Sequence, residues 1–206
     1  MGYTEYKKLN LPELADEVSE FWKENNIFEK SISNREGSKP FVFYEGPPSA
    51  NGLPGIHHVM ARTLKDIFCR YKTLKGFKVD RKAGWDTHGL PVELGVEKEL
   101  GITKEDIGKT ISVDEYNNAC KKAVMKYTDV WNDLTEKAGY WVDLEDPYIT
   151  YKSKYMETVW YLLKRLYDTD YMYKGYTIQP YSPKAGTGLS SHELNQPGCY
   201  RDVKDT

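Results

Sequence analysis

The sequence has few cysteines, no long apolar segment and almost no net charge. Its three cysteines, Cys69, Cys120 and Cys199, lie far apart and form no CxxC pair, a usage typical of a reducing compartment and not of a disulfide scaffold. No run of about 18 apolar residues occurs, and the first residues contain no apolar stretch of signal-peptide length. These absences predict a cytoplasmic protein with no membrane segment.

The charge balance limits the ways in which the protein could contact nucleic acid. The chain has 29 Lys and Arg residues against 31 Asp and Glu residues, and its formal net charge is −2. This balance excludes a surface that is basic all over, although it permits a local basic patch. The densest basic run extends from Lys72 to Lys82, and a solvated surface edge is a more ordinary interpretation of it than a nucleic-acid-binding face.

Length and aromatic content predict a folded core. Five Trp, 17 Tyr and 6 Phe residues among 206 exclude disorder. At about 150 residues per domain, the chain suits one large domain or one and a half. Its last residues, CYRDVKDT, have neither a helix cap nor a compositional tail, so we expect the last domain to be incomplete within this sequence.

Apolar spacing predicts an alternation of strands and helices. An apolar run at residues 41–45 ends in a Gly-Pro-Pro sequence and indicates a buried strand, the spacing between Pro54 and Gly76 indicates a helix, and residues 77–80 suit a second strand. This order is a βαβ unit, whose right-handed crossover places both following loops at the carboxyl edge of a parallel sheet. Further helices are predicted over residues 11–28, 91–100, 114–138 and 152–168, and short strands over residues 176–181.

The loop GPPSANGLPGIHH follows the first predicted strand and suits an anion. Its Gly and Pro residues keep side chains away, while the first turn of the following helix offers unpaired N–H groups to a phosphate. His57 and His58 belong to that turn, where an imidazole can donate a hydrogen bond to a phosphoryl group. Two histidines alone would more often be ordinary polar residues at a helix start, and the loop context favours the functional interpretation.

The second loop, AGWDTHGLPVE, brings Asp86 to the same edge of the sheet. Its carboxylate could bind the ammonium group of an amino-acid ligand. A turn-forming or helix-capping role is equally compatible with the spacing, and Pro91 at the start of the next helix strengthens that alternative. His88 could shape the same turn.

Five segments together resemble a known family. They are FYEGPPSANGLP, KDIFCRYKTLKGF, AGWDTHGLPVELGVEKELG, YWVDLEDPYIT and PYSPKAGTGLSSHE, and over nearly all 206 residues the chain is similar to the isoleucyl-tRNA synthetases, which are class I aminoacyl-tRNA synthetases. The valine and leucine enzymes share the general layout, whereas EGPPSANG and GWDTHGLPVE favour the isoleucine enzyme.

The resemblance implies an α/β fold built on a Rossmann-type parallel sheet, with extra helices. It divides the chain into a helical segment at residues 1–40, the first half of a split catalytic domain at residues 41–175, and a connection at residues 176–206 that leads to an editing domain. The editing domain itself is not expected within the 206 residues.

The resemblance also implies a reaction and its residues. The full-length enzyme would activate L-isoleucine with ATP and Mg²⁺ to isoleucyl-adenylate, transfer it to tRNA(Ile), and act as a monomer. The catalytic residues would be His57 and His58. ATP would be bound by Pro48, Asn51, Gly52, Gly55 and His58, and the amino acid by Gly46, Pro47 and Asp86.

Two features depart from the family pattern. The usual signature is His-x-Gly-His, whereas this chain has Gly55-Ile56-His57-His58, so the first His and the Gly have changed places. We expect the exchange to preserve activity, because Gly55 permits close backbone approach while His57 or His58 supplies the donor. Some relatives also carry a Cys-Pro-x-Cys zinc half-site where this chain has Ser182 and Ala185. We expect no zinc there, because neither residue ligates as a thiolate does.

The second family signature, Lys-Met-Ser-Lys-Ser, does not occur in the sequence. We therefore expect the 206 residues alone to bind ATP weakly at most and not to aminoacylate. Two other classes of function stay open at this point: a free-standing nucleotidyltransferase that uses the same loop and histidines, and a non-catalytic protein that binds tRNA or acts as a scaffold.

Overall fold

A computed structural model describes residues 5–6, 8–183 and 186–195. The chain divides into two compact units, one up to Thr158 and one from Val159 onward. The helices are α1 (Leu11–Glu24), α2 (Ile27–Ser33), α3 (Ile56–Leu74), α4 (Leu90–Leu100), α5 (Val113–Val124), α6 (Thr128–Lys137), α7 (Ser153–Asp168) and α8 (Ser191–Leu194), with a 3₁₀ turn at Lys104–Asp106. The strands are β1 (Pro40–Tyr44), β2 (Lys78–Trp85), β3 (Asp143–Ile149), β4 (Tyr181–Ser182) and β5 (Thr187–Gly188).

The first unit contains a three-stranded parallel sheet in the order β1-β2-β3. Phe41 pairs with Val79 and Tyr44 with Lys82, so β1 and β2 end together. The predicted βαβ unit and the α/β class are thereby confirmed, and both loops leave the carboxyl edge of the sheet. In the second unit, β4 and β5 form a two-stranded antiparallel pair.

Helix α3 begins and ends where its glycines predict. Gly55 precedes it in extended conformation, and Gly76 follows it with φ 86°, a left-handed conformation that favours glycine just past a helix end. Its buried residues, however, are Arg62, Cys69 and Thr73. The apolar residues whose spacing predicted the helix are exposed in this chain: Ile56, Met60, Leu64, Ile67, Phe68, Tyr71 and Leu74.

Several predicted boundaries were wrong. The helix predicted over residues 11–28 is two helices, because Asn26 adopts a left-handed conformation with φ 50° between them. The helix predicted over residues 114–138 is also two, separated at residues 125–127. Strand β2 extends five residues beyond Asp80 to Trp85, and of the strands predicted over residues 176–181 only the start of β4 is present.

The sequence reasoning also missed β3. This strand contains three acidic residues and Pro147, and its register against β2 shifts between Lys82 and Gly84. Strands of this composition lack the apolar alternation that marks a half-buried strand. The composition of residues 143–149 therefore gave no signal of a third strand.

The first loop is packed into the hydrophobic core. Ala50, Trp85 and Trp131 form one buried cluster, and Ala83, Tyr140 and Val142 form another on β2 and the segment before β3. Because Ala50 is completely buried, the loop after β1 is part of the packed interior and not a loose surface segment. Within the described residues, every helix is too short or too polar to cross a membrane.

Candidate active site at the carboxyl edge of the sheet

The two loops at the carboxyl edge are joined by a backbone hydrogen bond. The N–H of Asp86 donates to the carbonyl of Pro48 over 3.0 Å, immediately after β2 ends. Trp85 packs against Ala50 in one buried cluster. The parallel pairing of β1 and β2 thus brings the GPPSANG and WDTH segments into contact, as the sequence predicted.

Helix α6 supports the first loop from the other side. The backbone N–H of Tyr127 donates to the carbonyl of Ala50 over 3.0 Å, and the indole N–H of Trp131 donates to the carbonyl of Gly52 over 2.9 Å. These two bonds satisfy loop carbonyls that would otherwise lack partners in a packed region. The loop conformation therefore depends on a helix that is distant in sequence: Trp131 lies 79 residues beyond Gly52.

The half-buried ring of His58 has a defined tautomer. Its Nδ1 accepts a hydrogen bond from the backbone N–H of Gly55 over 2.9 Å, so in the neutral ring the proton resides on Nε2. Burial lowers the pKa of His58, and the neighbouring His57, Arg62 and Lys65 lower it further. The ring is accordingly neutral near pH 7 and presents Nε2–H as a donor.

His57 is exposed and lies against both Gly55 and His58. The two imidazole centroids are 3.8 Å apart with a 43° angle between the planes. A Cβ atom added to Gly55 would lie 2.9 Å from Cε1 and 3.0 Å from Nδ1 of His57. The exchanged signature therefore leaves an imidazole beside the backbone of residue 55, supplied from residue 57.

Glu45, which directly follows β1, is a buried charge that the sequence reasoning did not single out. It is 4% exposed, and its carboxylate accepts hydrogen bonds from the ammonium group of Lys65 and the hydroxyl of Tyr140. Burial and this bond to Glu45 raise the pKa of Tyr140. The only signal in the sequence is a charged residue at the end of an apolar run, where a buried charge requires partners.

Tyr148 of β3 contacts the backbone of Glu45. Its hydroxyl donates to the backbone carbonyl of Glu45, and burial, followed by smaller contributions from Tyr155, Glu45 and Asp86, raises its pKa to about 12. The ring reaches that carbonyl by crossing Gly84, where an added Cβ would lie 2.3 Å from Cζ of Tyr148. Gly84 in the AGW sequence is therefore needed for this contact.

The second loop is tied to the end of β3. Thr150 receives a hydrogen bond from the N–H of Thr87 over 3.0 Å, its hydroxyl lies 2.7 Å from that of Thr87, and Nδ1 of His88 is 2.9 Å from it. The carboxylate of half-buried Asp86 accepts only a long bond, 3.4 Å, from the N–H of His88, and it forms no ion pair with any described residue. Asp86 therefore retains a carboxylate free to bind a cation.

The other predicted site residues lie along the first loop. Gly46 and Asn51 are exposed, whereas Pro47, Pro48 and Gly52 are half-buried. An added Cβ at Gly46 would lie 3.7 Å from Nζ of Lys65, and among the described residues no atom lies within 4 Å of one at Gly52. The backbone at Gly52 is therefore open to a ligand.

The basic run is largely occupied by internal contacts. Lys78 pairs with Glu36, Arg81 with Asp66, and Lys82 with Asp146, while Lys72 lies over the rings of Phe41 and Phe77. These contacts favour the ordinary interpretation of residues 72–82 as a structural edge over a tRNA-binding face.

The described part of the chain contains no group of three or more His, Cys, Asp and Glu residues placed to hold a metal ion. Ser182 lies in β4, and Ala185 lies outside the described residues. The expectation that zinc is absent at these two residues stays a prediction.

Comparison with known proteins shows the family of the chain. The family model of tRNA synthetases class I (I, L, M and V) matches residues 17–204. The chain is 70% identical to an isoleucine–tRNA ligase of Porphyromonas gingivalis over 204 residues, which are 99% of this chain and 18% of that protein. It is 68% identical to an isoleucine–tRNA ligase of Cytophaga hutchinsonii over 206 residues, again 18% of that protein.

A solved structure shares the fold. The ternary complex of Agrobacterium radiobacter K84 agnB2 LeuRS with tRNA and LeuAMS matches with a TM-score of 0.58 and 20% sequence identity, over 87% of this chain and 20% of that one. The present chain thus spans about a fifth of the length of the relatives it matches. It belongs to the family of class I tRNA synthetases that comprises the I, L, M and V enzymes.

Proposed function

We propose that the protein is an isoleucine–tRNA ligase, which activates L-isoleucine with ATP to isoleucyl-adenylate and transfers the acyl group to tRNA(Ile). The observation that carries the proposal is the 70% identity to a protein of that name over 99% of this chain. Because the chain spans 18% of that relative, the activity belongs to the whole protein and not to these residues alone.

ATP would bind along the first loop and the start of α3, through Pro48, Asn51, Gly52, Gly55 and His58. Open backbone at Gly52 and the positive end of a 19-residue helix suit phosphate oxygens. The loop is already ordered by α6, so little conformational freedom has to be lost on binding. Magnesium would accompany the phosphates, where it neutralises charge.

The chemistry needs donors more than an acid or a base. The isoleucine carboxylate would attack the α-phosphate in line with the departing pyrophosphate, so rate enhancement comes from positioning and from neutralising charge. His58 would donate from Nε2, since its Nδ1 is already engaged by Gly55. His57, beside it, would supply the second imidazole donor.

The amino acid would occupy the junction of the two loops, at Gly46, Pro47 and Asp86. The Asp86 carboxylate would hold the substrate ammonium group, because it has no cationic partner among the described residues and adjoins the first loop through Pro48. Zinc would be absent at Ser182 and Ala185, and we infer a monomeric enzyme of the cytoplasm, where free cysteines such as Cys69 and Cys120 persist.

Charging of tRNA tests the proposal. A chimera in which this chain replaces the matched 204 residues of the Porphyromonas gingivalis relative is assayed with tRNA(Ile) and a panel of isoleucine, valine, leucine and methionine. Isoleucylation at a rate near that of the parent supports the proposal. A folded chimera that charges another amino acid preferentially would overturn it.

A further inference from the structure

Trp131 is the largest fully buried side chain near the candidate nucleotide loop. It is 2% exposed, and its polar and apolar parts contact different features. The indole N–H bonds the carbonyl of Gly52 over 2.9 Å, and the ring meets the imidazole of His58 edge-on, with centroids 4.7 Å apart. One side chain of α6 thus contacts both the loop and the histidine that would bind ATP.

Arg62 lies on the same indole. Its guanidinium carbon is 4.9 Å from the Trp131 ring centroid and 6.0 Å from that of Tyr140, and the residue is only 5% exposed. Its Nε has no hydrogen-bond partner within the part of the chain that the structure describes. Buried arginines are normally held by carboxylates; here the Glu45 carboxylate attracts the guanidinium and opposes the lowering of its pKa by burial, and two aromatic faces lie against it as well.

We propose that Trp131 and Arg62 form a clamp that positions the nucleotide loop and the His58 ring for ATP, which makes both of them positioning residues. The inference rests on the proposed function, because it assigns the loop and His58 to the nucleotide. It goes beyond that function in linking ATP affinity to α6, a helix outside the βαβ unit.

The contacts of Trp131 distinguish a clamp from ordinary core packing. A phenylalanine would fill most of the same volume but would leave the Gly52 carbonyl without its donor. Tyr127, the residue before α6, bonds Ala50 through its backbone N–H, so α6 and its N-cap together hold the loop at two residues. Loss of the indole bond alone should therefore loosen the loop without unfolding the protein.

The charge of Arg62 acts on His58 as well. The titratable groups that face the His58 ring are His57, Arg62 and Lys65, all on α3, while α6 contributes the uncharged Trp131 and the loop contributes Gly55. Positive charge on any of these groups disfavours a protonated His58 ring. Arg62 thereby helps to keep Nδ1 free as the acceptor of the Gly55 bond.

The kinetic test uses Trp131→Phe, with Trp141→Phe as the matched control. Trp141 also packs against aromatic rings, 5.1 Å from Trp22. The other groups at its ring are Phe28, Arg70 and Arg81, none of which belongs to the first loop or to the proposed nucleotide-binding residues. In ATP–pyrophosphate exchange by the chimera, Trp131→Phe should raise the KM for ATP by about 3- to 10-fold, the value of one hydrogen bond, and leave the KM for isoleucine unchanged. Equal effects of the two substitutions on both KM values would overturn the clamp.

The spectroscopic test is independent of catalysis and uses the 206-residue chain. In Arg62→Gln, NMR titration of His58 should show a higher pKa than in the native chain, and Arg62→Lys, which keeps the charge, should restore it. Amide exchange at residues 52 and 53 should be faster in Trp131→Phe than in Trp141→Phe. An unchanged His58 pKa together with unchanged amide exchange would refute the inference. A chimera that lacks ATP–pyrophosphate exchange before any substitution would instead refute the proposed function.

Discussion

The imidazole of His57 lies over the backbone of Gly55, so closely that a Cβ on residue 55 would be 2.9 Å from Cε1 of His57. The side chains of residues 55 and 57 therefore cannot occupy this space together. The imidazole of His57 can lie here only because residue 55 has no side chain. Gly55 has an extended backbone with φ −112°, which any residue can adopt, so the requirement for glycine comes from His57 and not from the main chain.

This relationship predicts that Gly55→Ala displaces the His57 ring and weakens nucleotide binding. Because His57 is an exposed side chain that can rotate away, the free energy of unfolding should change by less than about 1 kcal/mol, while the KM of the chimera for ATP should rise several-fold. Gly95→Ala in α4 is the matched control outside the site, since no described atom lies within 4 Å of its Cβ, and it should leave the KM for ATP unchanged. Equal ATP KM values for Gly55→Ala and the native chimera would contradict the relationship.

The double substitution Gly55→His with His57→Gly restores the usual order of the signature. We expect exchange activity within about 10-fold of the native chimera, a difference of about 1.4 kcal/mol, because one imidazole is kept beside residue 55 in either arrangement. Gly55→His alone should be worse than the double variant, since two side chains then compete for one space. A rise of several orders of magnitude in the double variant would mean that the native order impairs catalysis.

A second prediction concerns Gly84, over which Tyr148 reaches Glu45. Gly84→Ala places a methyl group 2.3 Å from the Tyr148 ring and should lower the free energy of unfolding by about 1–3 kcal/mol, as overpacking does. Gly95→Ala is the control in α4: no described atom lies within 4 Å of its Cβ, and a helix-interior alanine should stabilise by about 0.5–1 kcal/mol. Urea denaturation of both variants checks the opposite signs, and Gly84→Ala unfolding at the native midpoint would disprove the packing argument.

The third prediction concerns the substrate ammonium group. Asp86→Asn should raise the KM of the chimera for isoleucine by about 10- to 100-fold, the value of a charge-assisted hydrogen bond, with a smaller effect on the KM for ATP. Asp80→Asn removes an exposed carboxylate from β2, the strand that Asp86 follows, and should change neither constant. If Asp86→Asn instead reduces stability and leaves the isoleucine KM intact, Asp86 acts as a turn residue.

The fourth prediction follows from the lowered pKa of His58. The unfolded chain binds a proton at this residue near the ordinary pKa of about 6.5, whereas the folded chain binds it only at lower pH. Below the unfolded pKa the unfolded state therefore carries more protons, and stability falls as the pH falls from 7 toward 5. Urea denaturation at a series of pH values should show that the free energy of unfolding falls less steeply toward low pH in His58→Gln than in the native chain. The same dependence on pH in both would indicate that His58 titrates normally in the fold.

The sequence allowed the βαβ unit and its two loops to be predicted because their signals are local. An apolar run before Gly46, helical spacing up to Gly76 and turn residues around Asp86 each need only a few neighbours. The contact between the loops then follows from the geometry of parallel strands. The structure confirmed the βαβ unit and the contact between its two loops, and it moved the end of β2 from Asp80 to Trp85.

The supports of the site were not predictable in the same way. Trp131, Tyr140 and Tyr148 reach the loop region from α6, the segment after it and β3, across 79 to 103 residues of sequence. Such pairings depend on tertiary packing, which no local pattern encodes. The exposed apolar stripe of α3 shows the same limit, because the spacing predicts a helix but does not say which face packs in this chain.

The assignment as an isoleucine–tRNA ligase is tested by ATP–pyrophosphate exchange with isoleucine, measured on the chimera and on the 206-residue chain side by side. We expect isoleucine-dependent exchange by the chimera near the rate of its parent and no exchange by the chain alone, which lacks the Lys-Met-Ser-Lys-Ser sequence. Robust exchange by the chain alone, or a folded chimera that exchanges no faster with isoleucine than without it, would show the assignment or the division of the site to be wrong.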